Sequence, residues 1–182
     1  MSAGVREAPD TTARCRALLA DVTPLPGDCG RLCGAACCAS LPCPEESGDE
    51  EETGMLLFPG EEELYRDRPG WSLRPAAGGG TLLVCPGRCD RQLRPIACRM
   101  FPLLPLARGD GQAEIRVAMD ARARAVCPLT GSGVRGLQPA FVEAVRACGE
   151  LLLADPGTRG ALLALTAQHD ELREMQKRFG GG

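Results

Sequence analysis

The clearest periodicity of apolar and polar positions lies in the last third of the chain. Phe141, Val145, Cys148 and Leu152 recur at i, i+4, i+7 and i+11, a spacing that gathers side chains on one face of a helix. The pattern predicts a helix over 139–154, with Pro139 in the first turn, where a missing N–H costs nothing. Asp155-Pro156 restarts the chain, Asp155 as N-cap and Pro156 at the first helical position. Leu162, Leu165, His169, Leu172 and Phe179 make the next stripe, and Gly180 to Gly182 predict a frayed end. Two helices so closely joined predict an αα-hairpin. Near the other terminus, residues 11–22 (TTARCRALLADV) place Cys15, Leu18, Leu19 and Val22 on one helical face, and Pro24 and Pro26 end it.

Between these helices the period shortens. "WSLRP" and "TLLVC", separated by "AAGGG", predict a hairpin. "FPLLPLARGDGQAEIRVAMD" predicts a second, with Asp110-Gly111 in its turn and Ile115 and Val117 on one face. Pro102 and Pro105 demote its first arm to an edge or irregular strand, because proline cannot donate to a ladder. Residues 61–66 allow one or two helical turns. Residues 44–53 (PEESGDEEET) read as a solvated acidic loop. The organisation predicted is a cysteine-rich domain with an N-terminal helix over 1–131, and a helical hairpin over 132–182 packed on it.

Composition changes the picture chiefly through sulfur. The chain has 182 residues, of which 44% are apolar but only 3% aromatic, and eleven are cysteine. So aromatic-poor a core gains from a cross-link or a metal. The net charge of −3 offers no basic face for nucleic acid. Lys177 is the one lysine among 21 basic residues, as a bias in base composition would give. No apolar run predicts an export signal or a membrane span, so the expected compartment is the cytoplasm, where thiols stay reduced. An odd number of cysteines also suits metal better than full disulfide pairing.

Three cysteines can be set aside: Cys15 and Cys148 as small apolar residues within helix stripes, and Cys43 as a loop residue between prolines. The candidate metal ligands are Cys29, Cys33, Cys37, Cys38, Cys85, Cys89, Cys98 and Cys127. Residues three or four apart in a turn can aim both sulfurs at one ion at about 2.3 Å. Gly30, Gly34, Pro86, Gly87 and Pro128 permit tight turns around them. His169, the single histidine, lies in a helix stripe, so the donor set is all sulfur and selects zinc or iron–sulfur chemistry over magnesium or calcium. Adjacent Cys37 and Cys38 point about 100° apart on a helix, so either one turns away or each serves a different centre. Eight thiolates would satisfy two tetrahedral ions; four would hold one cluster and leave four over. Arg88, Arg91, Arg94 and Arg99 surround Cys89 and Cys98 in sequence and are candidates to lower thiol pKa, as well as ordinary surface residues. Pro95 opens a short helix whose amides would face Cys98.

"CGRLCGAACC" followed by "CPGRCDRQLRPIACRMFP" and Cys127-Pro128 resembles the zinc- or iron-chelating domain family named for its CxxCxxCC motif. The match is carried by Cys89, by the run Arg94-Pro95-Ile96-Ala97-Cys98-Arg99-Met100-Phe101-Pro102, and by Cys127-Pro128, over residues 29 to about 131. The first cluster has x3 spacings in place of x2, and the tyrosine the family carries after Cys89 is absent. The resemblance implies chelation of zinc or iron, or of an iron–sulfur cluster, by the eight matched cysteines. It also implies kinship with proteins of flagellin lysine methylation.

The expected fold is therefore α+β: a small cysteine-rich, metal-stapled domain with short β-hairpins and a C-terminal αα-hairpin. The expected partner is a metal ion, without nucleic acid or membrane. Three functions are open: metal binding as a structural staple; a zinc- or iron–sulfur-dependent enzyme or accessory subunit in methyl or electron transfer; and a metal-stabilised interaction module. No dinucleotide loop accompanies "GGGT" at 78–81, and no Ser-His-Asp set can be assembled around His169.

Overall fold

A computed structural model of the chain describes residues 10–38, 54–76, 78–87, 89–108 and 114–179. The acidic loop, Cys43, Arg88, the Asp110-Gly111 turn and the terminal glycines lie outside these residues. The described fold mixes helices with small antiparallel sheets. Five helices are α1 (Thr11–Leu18), α2 (Gly30–Cys33), α3 (Ile96–Met100), α4 (Pro139–Ala154) and α5 (Pro156–Phe179), with several 3-10 turns between them. Strands β1 (Met55–Leu56), β3 (Thr81–Val84) and β2 (Ser72–Pro75) form one sheet in that spatial order; β4 (Leu103–Arg108) and β5 (Glu114–Met119) form another.

Both hairpins read from the sequence are present. In the first, Ser72 pairs with Val84 and Pro75 with Thr81. The turn needs Gly79 and Gly80, whose φ of 89° and 87° lie where a side chain is strained. In the second, Pro105 sits within a regular six-residue arm, opposite Val117. The arm stays regular because a strand in a two-stranded ladder always has one unpaired side to which the missing N–H can be turned.

The main core gathers Cys15 of α1 and Leu19 just after it, Ile96 and Met100 from α3, Leu103 and Ile115 from the second hairpin, and the buried faces of α4 and α5. The α4 stripe is as expected: Phe141, Val145, Cys148 and Leu152 are all fully buried. Helix and hairpin come close because Gly149 has no side chain; a Cβ there would stand 2.5 Å from Pro105 Cβ and 2.8 Å from Ile115 Cγ2. At the joint between α4 and α5, proline breaks the ladder and leaves carbonyls to satisfy. Thr158 Oγ1 donates to Leu152 O at 2.8 Å, and Arg159 Nε to Leu153 O at 2.7 Å. The Asp155 carboxylate accepts from the Gly157 N–H, as a cap should.

Two expectations need correction. Helix α1 ends at Leu18, short of Val22, and Leu18 is exposed. The carbonyls of Leu19, Ala20 and Val22 are taken instead by the Arg91 guanidinium, so the chain leaves the helix with its acceptors satisfied. Phe179 is 87% exposed, although it falls on the stripe of Leu162, Leu165 and His169, which are buried. It lies beyond Gln176, whose amide ties α5 to Ala121 O, and the helix continues outward from there.

No helix among the described residues is long and apolar enough to cross a membrane.

Candidate metal centre

The thiols are delivered by short helices and turns, one of them directly after strand β3. Cys29 and Cys33 bracket the single turn of α2. Gly34 and Ala35 then both take left-handed backbone, with φ of 62° and 60°. Ala35 is a non-glycine residue there, at a cost of about 1–2 kcal/mol. The reversal lets Ala35 N–H donate back to Gly30 O at 2.9 Å and Cys38 N–H to Ala35 O at 2.8 Å, so Cys37 and Cys38 fold back toward α2. Cys85 follows β3, Cys89 precedes the 3-10 turn Arg91–Leu93, Cys98 lies in α3, and Cys127 precedes the 3-10 turn Pro128–Ser132. None of the ten described cysteines forms a disulfide.

Cys37, Cys38, Cys85, Cys89 and Cys98 line one cavity of about 330 Å³, with Arg94 in its wall and Trp71, Leu83 and Phe101 as apolar neighbours. Burial pushes the Cys98 thiol up, and Cys38, Cys85 and Cys89 push it further. Burial and then Cys85 raise Cys89, against the pull of Arg94. A second set is linked in the same way: Cys29 is raised by burial, then by Asp28, Cys127 and Cys33. Cys127 is raised by burial and, more weakly, by Cys33. Cys37 is raised most by its bond with Cys38, then by burial, and also feels Cys33 and Cys29. Electrostatic contact thus joins Cys38, Cys85, Cys89 and Cys98 on one side and Cys29, Cys33 and Cys127 on the other, with Cys37 touching both.

Contact at this range is not coordination. Among the described residues, no three Cys, His, Asp or Glu side chains form a group that could hold a metal ion as placed. Neutral thiols have no reason to converge, and converging thiolates repel unless a cation sits between them.

The arginines divide differently from their sequence positions. Of the described arginines in this run, Arg91, Arg94 and Arg99, Arg94 is the one bonded to a thiol, that of Cys89. Its Nε is buried with no partner. Arg99 donates to the carbonyls of Arg94 at 3.0 Å, Gln92 at 2.8 Å and Arg16 at 3.2 Å. Arg91 serves the end of α1. Both hold backbone carbonyls and neither is bonded to a sulfur, though Arg91 feels the charge of Cys29. Pro95 does open α3, but the first amide, Ile96 N–H, goes to Glu61 Oε1 at 2.9 Å and not to Cys98.

Glu61, Arg16 and Tyr65 carry positioning roles that sequence reasoning missed. Glu61 is fully buried and also accepts the Phe58 N–H at 3.2 Å, so one carboxylate ties the loop after β1 to the start of α3. Arg16 donates to Arg94 O at 3.0 Å and Gln92 O at 2.6 Å, and the Tyr65 hydroxyl to Leu93 O at 2.9 Å. Every carbonyl from Gln92 to Arg94 is therefore captured, which fixes the segment between Cys89 and Cys98. The only sequence signal was a buried-looking tyrosine beside three glutamates, which does not say which acid turns inward.

No family model matches the chain, and no curated protein and no solved structure matches it.

The donor chemistry remains distinctive. Among the described residues that line the cavity, sulfur is the only metal-donor type that the side chains offer, and thiolate sets of this kind suit zinc or iron–sulfur centres. A buried, unpartnered guanidinium N–H in the cavity wall fits an anionic occupant, since a centre with four thiolates is itself negatively charged.

Proposed function

We propose that the protein binds zinc or iron through its clustered cysteine thiolates, with Cys38, Cys85, Cys89 and Cys98 forming one four-sulfur centre. Cys29, Cys33, Cys37 and Cys127 form the other. On this reading Cys37 and Cys38 serve different centres: Cys38 acts on Cys89 and Cys98, while Cys37 also feels Cys33 and Cys29. The observation that carries the proposal is the shared cavity, which gathers sulfurs from four segments of chain beside Arg94. The resemblance to the CxxCxxCC chelating family supports the same eight ligands.

A bound ion supplies structural cross-linking, worth roughly 10–16 kcal/mol in small zinc peptides. Sets of four sulfurs leave no open ligand position, which favours a staple over a catalytic metal. Arg94 offsets the thiolate charge, and Arg99, Arg16 and Tyr65 hold the loop that presents Cys89 and Cys98. Such a protein works in a reducing compartment, the cytoplasm.

The test is elemental analysis and visible absorption of protein purified without oxygen. Bound zinc leaves the protein colourless, and iron–sulfur clusters colour it. Cys98→Ser lowers the metal content, and Cys148→Ser leaves it unchanged. Equal metal content in the wild type and Cys98→Ser overturns the assignment.

A further inference from the structure

A second cavity, of about 610 Å³, shares no lining residue with the thiol cavity. It lies between the β4–β5 hairpin and the last turns of α5. Leu106, Val117 and Met119 give it an apolar floor. Its rim carries Arg108, Arg116, Arg173 and Lys177 against Asp170 and Glu174.

The two acids are already engaged. Arg108 grips Asp170 through both terminal nitrogens, at 2.8 and 2.7 Å, and Lys177 pairs with Glu174 at 2.6 Å. The Arg116 and Arg173 side chains have no hydrogen bond or ion pair to any described residue. Among the described residues, two guanidiniums without a counter-charge therefore face one cleft.

His169 adds a neutral donor. It is 94% buried, and its Nδ1 accepts the Ala121 N–H at 3.3 Å. The neutral ring then carries its proton on Nε2, which has no partner among the described residues. Burial pushes the His169 pKa down, with Arg173 and Arg108 acting the same way against Asp120 and Asp170.

We propose that this cleft binds a small organic phosphate, its phosphoryl oxygens held by Arg116, Arg173 and the His169 Nε2–H and its apolar body lying on Leu106, Val117 and Met119. Phosphate is preferred to carboxylate because three separate donor groups match three anionic oxygens, whereas a carboxylate offers two. The volume falls within the 300–1,000 Å³ range of small-molecule sites and far exceeds the needs of a bare ion.

Phenyl phosphate is the probe, titrated into the full-length protein as purified and followed by calorimetry and amide chemical shifts. Saturable binding is expected, with shifts concentrated in residues 115–119 and 169–177. Arg116→Gln and Arg173→Gln, both exposed positions, each weaken it about tenfold or more while keeping the fold and metal content of the wild type. Absence of saturable binding, wild-type affinity in both variants, or equal affinity for benzoate overturns the proposal.

Discussion

Glu61 is an acid with no exposure to water, beside Arg16 at 3.7 Å and holding two backbone amides. Burial pushes its carboxyl from 4.5 up to about 7, although the amides of Ile96 and Phe58 and the charges of Arg16 and Arg99 pull the other way. Between those two values the folded chain holds a proton that the unfolded chain has released. The contribution of this group to stability is therefore greatest below about 4.5 and is lost as pH rises through about 7. Glu61→Gln removes the titration at the cost of one acceptor. Urea unfolding of both proteins from pH 5 to 8 should show the variant gaining on the wild type as pH rises. A constant difference across that range rules the effect out.

At the scale of elements, the contact between α4 and the second hairpin rests on the absent side chain of Gly149. Gly149→Ala inserts a methyl against Pro105 and Ile115, with no space on the sheet side. Overpacking of this kind costs about 1–3 kcal/mol, more than the gain in helix propensity. The expected result is a lower urea midpoint, and a rise would mean that helix and hairpin can separate freely. This element was legible in sequence because a single stripe, Phe141 to Leu152, is buried along its whole length. The β2–β3 hairpin was legible because its glycines could do little else. Leu18 and Phe179 misled because periodicity assigns a face without saying how far the neighbouring element extends. The arginines stayed open between two roles for a related reason. A guanidinium close in sequence to a cysteine can serve a sulfur or a carbonyl, and Arg91 and Arg99 reach carbonyls brought near only by the tertiary fold.

Across the whole molecule, the main apolar core and the candidate thiol centres draw largely on different elements, with α3 common to both. The main core runs through α1, α4, α5 and the second hairpin, while a smaller cluster of Leu57, Tyr65 and Leu83 lies under the first sheet beside the thiol cavity. If metal staples the second region, stripping it with a chelator should raise amide hydrogen exchange in residues 29–38 and 85–98 and leave α4 protected. Collapse of protection along α4 as well would mean that the core cannot stand without the ions.

The two buried sulfurs outside the candidate centres bear on how these regions stay in step. The Cys15 thiol donates to Cys148 O, and the Cys148 thiol donates to Cys15 O. Each helix is thereby indexed to the other: a slip of one residue would swing a sulfur about 100° off its mark. Arg16, the very next residue, is aimed by that indexing at the carbonyls flanking Leu93. A notch cut deep in the oily interior thus sets the angle at which the sulfur-bearing loop is gripped.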